Sequence, residues 1–147
     1  MRPRALIFDD DPLIRQMLWL VFDRRGYEVF SFPDPGLCPQ HLRCRCACAS
    51  DTACADIIIS DLDMPRVKGL DFVEEPRGKG CHCRNIALMS AAWSAHDAVR
   101  ARGLGCKLFT KPFPPSDILE WLAQVEGALD PGRKLQDWEA LRSAPAS

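Results

Sequence analysis

Carboxylates gather where apolar runs stop. Ile7-Phe8 runs straight into Asp9, Asp10 and Asp11, and Ile57-Ile58-Ile59-Ser60 runs into Asp61, Leu62 and Asp63 before Met64-Pro65. A β-branched apolar run that breaks off in acids and then proline has the signature of a fully buried strand delivering a carboxylate to the rim of a sheet. Two further apolar runs end in other chemistry: Ile86-Ala87-Leu88-Met89 in the hydroxyl of Ser90, and Leu108-Phe109-Thr110 in the ammonium of Lys111. Asp9, Asp10 and Asp61, if brought together in a partly dry crevice, repel one another and need a cation to stay ionised. All-oxygen ligation suits Mg²⁺, or Mn²⁺ in its place, with few protein ligands and several waters retained. Acids, metal, hydroxyl and ammonium together suit phosphoryl transfer, the metal and Lys111 holding charge on the phosphoryl oxygens while a carboxylate attacks.

The elements that must position these groups can be read from the periodicity. Ala5 to Phe8 is a short strand. Asp11 is placed to cap a helix with Pro12 in its first turn and apolar residues at Ile14, Met17, Leu18, Val21 and Phe22, ending at Gly26. Glu28 to Phe32 is a second strand, closed by Pro33-Asp34-Pro35-Gly36, with a short helix expected from Leu37 to about Leu42. The strand ending at Asp61 is the third, followed by a short helix of Leu70, Phe72 and Val73 that Pro76 cuts off. Asn85 to Met89 is the fourth. Ser94 and Asp97 resemble a capping box for a helix reaching Arg102, which Gly103 ends. Cys106 to Thr110 is the fifth strand, and Ile118, Trp121, Leu122, Val125 and Leu129 mark a last amphipathic helix ended by Asp130-Pro131-Gly132. A further turn of helix is expected around Leu135, Trp138 and Leu141.

Strands alternating with helices predict an α/β fold: a doubly wound, five-stranded parallel sheet with right-handed crossovers and helices on both faces. Ligands in such sheets sit beyond the carboxyl ends of the strands, where the winding reverses. With the flavodoxin-like order 2-1-3-4-5 that point lies between strands one and three, whose ends carry Asp9, Asp10 and Asp61. Strands four and five add Ser90 and Lys111 to the same rim.

The 147 residues make one domain, expected over 1–130, with a cysteine-rich insert at about 43–55, a second cysteine stretch at 77–84 and a short tail at 131–147. A net charge of -1 offers no basic field for nucleic acid or membrane, and no apolar run approaches the roughly 20 residues that span a bilayer. The N-terminus leads into a strand instead of a signal-peptide core, which places the chain in the cytoplasm. Eight cysteines in a reducing compartment point to metal or redox chemistry more than to disulfides. Cys44, Cys46, Cys48 and Cys54 precede the third strand, Cys81 and Cys83 the fourth, and Cys106 opens the fifth, so seven thiols converge on the rim opposite the acids. Zn²⁺ or an Fe–S cluster, with His41 or His82 as further ligands, is one reading; reduced or oxidised thiols in a lengthened loop is the other.

Four motifs carry a family resemblance over about residues 4 to 129: Ile7-Phe8-Asp9-Asp10-Asp11-Pro12, Ser60-Asp61-Leu62-Asp63-Met64-Pro65 with Gly69, Leu88-Met89-Ser90-Ala91, and Thr110-Lys111-Pro112-Phe113. In this order they resemble the response-regulator receiver domain of two-component signalling. The resemblance implies that Asp61 is the phosphoacceptor, attacking a phosphohistidine of a sensor histidine kinase or phosphotransfer protein. It implies further that Asp10 and Asp61 ligate the metal directly, Asp9 does so through water, and the backbone carbonyl of Asp63 completes the site. Ser90 would hydrogen-bond the phosphoryl group, Lys111 would pair with it, and Lys111-Pro112 would be a cis peptide. Such a chain catalyses at most its own phosphoryl transfer and loss, and its output passes through an unidentified downstream protein. The chain departs from the family pattern at Leu108, where an aromatic residue is usual, with Phe109 beside it; Asp63 adds a carboxylate next to the phosphoacceptor. Trp93 lies on the loop expected to move, where packing is an equal reading. Two alternatives stand beside this. Haloacid-dehalogenase-like phosphatases also open with acids spaced as Asp9 and Asp11 are, but need a further acidic pair after the lysine. A thiol-based metal or redox sensor on a receiver scaffold is the other, and the intact acid set argues against it.

Overall fold

The computed structural model describes residues 2–33, 52–53, 55–63 and 85–135. In chain order these form β1 (Arg4–Phe8), α1 (Pro12–Arg24), β2 (Glu28–Phe32), β3 (Thr52–Ala53), β4 (Ile57–Asp61), β5 (Asn85–Ser90), α2 (Ala95–Gly103), β6 (Lys107–Thr110), α3 (Pro115–Ala128) and β7 (Lys134–Leu135). Five strands build one parallel sheet in the order β2-β1-β4-β5-β6. Numbered along that sheet alone, this is the expected 2-1-3-4-5.

Every residue of β1 and β4 is buried, which explains why both read as continuous apolar runs without alternation. Strand parity sorts their side chains onto two faces. Ala5, Ile7, Ile57, Ile59, Ala87 and Met89 face a core with Leu18 and Phe22 of α1 and Ile118, Leu122 and Val125 of α3. Leu6, Phe8, Ile58 and Leu88 face the other, with Ala101 of α2 and Cys106. Each fully buried aliphatic side chain here contributes about 1.5–3 kcal/mol of transfer free energy.

The termini of the helices follow their caps. Asp11 accepts the Leu13 N–H at 2.9 Å and Pro12 opens α1. The chain leaves α1 through Gly26 at φ +86°, a left-handed conformation in which any Cβ is strained. Ser94 caps α2 by accepting the Asp97 N–H at 3.0 Å. Directly after Gly26 the buried Tyr27 donates its hydroxyl to Glu126 of α3 at 2.8 Å, and Arg25 pairs with the same carboxylate. Burial, then the hydrogen bond to Glu126, hold the Tyr27 phenol well above its ordinary pKa.

At the opposite end of the sheet from Asp9, the chain does something the sequence does not announce. β7 pairs in parallel with β3, Thr52 opposite Lys134 and Ala53 opposite Leu135, so Leu135 sits in a strand and not in the expected turn of helix. Arg133 donates through Nε and Nη2 to Asp56, the Nη2 contact being 3.1 Å. The Arg4 backbone N–H reaches the same carboxylate at 2.9 Å. The expected helices at 37–42 and around Phe72 lie outside the described residues, as do Trp138, Leu141 and every cysteine except Cys106. Among the described residues no helix is long and apolar enough to cross a membrane.

Candidate functional site

β1 and β4 are neighbours with Phe8 opposite Ser60, so the next residues of the two segments, Asp9 just past β1 and Asp61 at the end of β4, arrive side by side. Asp10 follows at the surface. One carboxylate oxygen each from Asp9, Asp10 and Asp61 lies within 4.8 Å of the others. Asp9 is fully buried: its Oδ1 accepts the Asp11 N–H at 2.8 Å and its Oδ2 accepts from Lys111 Nζ at 2.9 Å. Lys111 Nζ also lies 3.3 Å from Asp61 Oδ1. Arg15 of α1 turns back to donate to the Asp9 carbonyl at 2.6 Å. The Leu62 N–H, donated to Met89 O at 2.7 Å, continues the β4–β5 ladder past Asp61.

Ser90 ends β5 one residue beyond the partner of Asp61, buried, with its Oγ accepting the Ala92 N–H at 3.1 Å. Its carbonyl accepts the Lys111 backbone N–H at 2.8 Å. Lys111 therefore joins the rim twice, by its backbone to β5 and by its side chain to the acids, and the Lys111-Pro112 peptide is cis. All five groups expected on one rim, Asp9, Asp10, Asp61, Ser90 and Lys111, are brought together.

Burial raises the Asp61 pKa; Lys111 opposes the shift and the charges of Asp9 and Asp10 add to it. For Lys111, burial works against the ammonium, but the hydrogen bond to Asp9 and the charges of Asp9 and Asp61 outweigh it and hold its pKa up. Three carboxylates face one ammonium, which leaves negative charge uncompensated beside a solvent-exposed Asp10. That donor set fits a hard divalent cation.

Other expectations resolve as follows. Phe109 is core, 5.7 Å from the Trp121 ring and 5.5 Å from Phe113, while Leu108 packs on the opposite face with Trp93. Asp11 is spent as the cap of α1 and the chain after Lys111 passes directly into α3, so the phosphatase alternative is not favoured. The Asp63 side chain is exposed, and His96 stands exposed on α2. Cys106 is buried just before β6, at the far end of the sheet; the six other thiols expected on that rim, and Cys38, lie outside the described residues. Sequence reasoning missed Arg15 and the indole of Trp93, which donates to the Phe109 carbonyl at 3.0 Å. Nothing in residue type or spacing signals either contact.

A parallel sheet of this order, with acids and a lysine at the winding reversal, defines a class of phosphoryl-handling signalling domain. The response regulator receiver domain matches residues 5–123. The chemotaxis protein CheY of Thermotoga maritima is 30% identical over 133 residues, covering 85% of this chain and 98% of that protein. A solved structure of Vibrio cholerae chemotaxis protein CheY4 is 27% identical with a TM-score of 0.69, covering 85% of this chain and 99% of that one. A protein-glutamate methylesterase/protein-glutamine glutaminase of Anaeromyxobacter dehalogenans is 34% identical over 156 residues, covering 99% of this chain but 41% of that protein. The chain spans about half the length of most of the curated relatives it matches. It belongs to the response regulator receiver domain family.

Proposed function

We propose that this chain is a phosphoacceptor of a two-component phosphorelay, with Asp61 as the accepting residue. The observation that carries this is the meeting of Asp61 with Asp9, Asp10 and Lys111 on one rim. An Asp61 carboxylate oxygen attacks the phosphorus of a phosphohistidine on a sensor histidine kinase or phosphotransfer protein. A P–O bond forms, the P–N bond breaks, and the imidazole leaves with its electron pair and takes a proton from solvent. Lys111 offsets charge on the phosphoryl oxygens, and Ser90 donates its hydroxyl to one of them. Mg²⁺, when bound, supplies the positive charge that lets an anion approach three carboxylates. Asp10 and Asp61 would hold it directly, Asp9 through water, and Asp63 through its backbone carbonyl.

The donor protein is read as docking in the groove of about 530 Å³ between α1 and α3, where Leu13, Met17, Leu20 and Leu119 lie beside Arg24 and Arg25. Leu13 is 74% exposed and follows the Asp11 cap by two residues, so the groove begins at the end of α1 that leaves the acidic site. The chain is read as a cytoplasmic switch, with no catalysis beyond its own phosphoryl transfer and loss, acting on an unidentified downstream protein.

The test is intact mass after incubation with Mg²⁺ and a small acyl phosphate. Wild type is expected to gain one phosphoryl group that is lost in base, and Asp61→Asn to gain none. No gain in wild type would overturn the reading.

A further inference from the structure

We infer that Arg15 is a positioning residue that holds the Asp9–Asp10 peptide, and through it the Asp10 carboxylate, in place for the divalent cation. This rests on the phosphoacceptor reading, in which Asp10 and Asp61 hold Mg²⁺. Every polar group of Asp9 is engaged. Its N–H donates to Phe32 O at 3.2 Å, its Oδ1 accepts the Asp11 N–H at 2.8 Å, its Oδ2 accepts from Lys111 Nζ at 2.9 Å, and its carbonyl accepts from Arg15 Nη1 at 2.6 Å. Asp10 differs: it is exposed, and among the described residues neither its side chain nor its N–H makes a hydrogen bond. One oxygen of its carboxylate nonetheless stands within 4.8 Å of those of Asp9 and Asp61. With no partner to hold the side chain, the backbone sets where that carboxylate stands.

The Asp9 carbonyl and the Asp10 N–H belong to one planar peptide unit. Fixing the carbonyl fixes the plane, and with it the direction in which the Asp10 side chain leaves the chain. Among the described residues the Arg15 guanidinium is the one hydrogen-bonding partner of that unit. Arg15 reaches it from a rigid support: its own N–H donates to Asp11 O at 3.1 Å in the first turn of α1, and α1 is seated by the fully buried Leu18 and Phe22. The start of a helix gives a cation no help, and Arg15 pairs with no carboxylate among the described residues. Two other roles would use the same bond. Arg15 could serve the fold alone, or act on the site through its charge alone. The three roles differ in what removal does to Mg²⁺. Loss of charge alone tightens binding by relieving repulsion; loss of a fold contact lowers stability and leaves the affinity of folded molecules unchanged; loss of the hold on Asp10 weakens binding in spite of the relieved repulsion.

The experiment titrates Mg²⁺ into the whole chain, following backbone amide shifts by NMR, for wild type, Arg15→Met and Arg15→Lys, with urea midpoints in EDTA taken on the same proteins. Arg15→Met keeps an aliphatic stem and removes the donor; Arg15→Lys keeps the charge on a shorter reach. Arg15→Met is expected to bind Mg²⁺ about tenfold more weakly, the low end of what removing the support behind a metal ligand costs, with Arg15→Lys between it and wild type. Its phosphoryl uptake from a small acyl phosphate, read by intact mass, is expected to be slow at limiting Mg²⁺ and to recover at saturating Mg²⁺. The titration reads folded molecules only, so a less stable variant still answers the question. Unchanged or tighter Mg²⁺ binding by Arg15→Met would overturn the inference. Slow uptake that saturating Mg²⁺ does not restore would do so too, since it would put Arg15 on the phosphoryl group itself. Wild type without Mg²⁺-dependent shifts would take the metal out of the phosphoacceptor reading and overturn the inference with it. Wild type that binds Mg²⁺ but gains no phosphoryl group would overturn the phosphoacceptor reading and leave the titration to decide on Arg15.

Discussion

Replacing Lys111 with Met keeps the aliphatic stem and removes the ammonium that spans Asp9 and Asp61. Its side chain is 17% exposed and those of Asp9 and Asp61 are 0% and 12%, so water can replace little of what is lost. Stranding a buried charge costs about 3–5 kcal/mol. Protonation sets a ceiling, because the folded protein can always neutralise one stranded carboxyl. From a reference aspartate near 3.9, at 1.36 kcal/mol per pH unit, that ceiling is about 4.9 kcal/mol at pH 7.5 and about 1.5 kcal/mol at pH 5. The expected loss is therefore about 3 kcal/mol at pH 7.5 in EDTA, shrinking below about 1.5 kcal/mol at pH 5. The sign is fixed by linkage: a carboxyl whose folded pKa is raised destabilises above its folded value and is relieved as pH falls through it. In wild type the raised Lys111 contributes stability that is complete below its unfolded value and lost only as pH climbs through its folded one. Urea unfolding followed by circular dichroism at pH 7.5 and at pH 5 measures the loss at each. Millimolar Mg²⁺ should restore more stability to the mutant than it adds to wild type. A mutant within about 0.5 kcal/mol of wild type at pH 7.5, or one that worsens on acidification, would refute this account of the site.

Asp61→Asn should raise the urea midpoint in EDTA and abolish most of the gain from Mg²⁺, since the raised pKa of Asp61 means its charge costs the metal-free fold stability. Arg133→Met strips two donors from a carboxylate 2% exposed and should cost about 3 kcal/mol, a fall in Tm of roughly 6–12 °C by calorimetry; a fall under about 1 °C would make the contact incidental. Tyr27→Phe should cost about 1 kcal/mol. It should also blunt acid sensitivity: Arg25 first, then Tyr27, hold Glu126 below its usual pKa, so that contribution is present at neutral pH and lost as pH falls through the depressed value. Acid unfolding of the two proteins compares this directly.

The sheet and its site were legible because each rests on local pattern. β1 and β4 are buried on both faces and read as unbroken apolar runs. Parallel winding then fixes which strand ends meet, and chemistry at those ends was visible as Asp9, Asp61, Ser90 and Lys111. What the lysine touches was not legible, since reach to the rim does not choose between two acids and a phosphoryl group. Phe109 fell to the core because it shares strand parity with Met89, its partner in register, while Leu108 takes the other face. β7 escaped notice because two residues carry no period. The partnership of Arg133 with Asp56 joins positions far apart in the chain through a contact that only the assembled fold creates. The Trp93 indole bond likewise depends on where β6 ends, which no local rule supplies.

Asp56 receives the Arg4 backbone N–H and the Arg133 guanidinium on the same Oδ2, so the first strand and the last described segment converge on one atom. The path from Arg4 to Arg133 is in effect a closed ring pinned by a carboxylate. Such a geometry asks little of a linker joining those two points, and a new break could then be placed elsewhere in the ring. It also lets the segment from Arg4 to Arg133 be inserted into a loop of another protein without prising those two residues apart, with the acidic rim facing away from the seam.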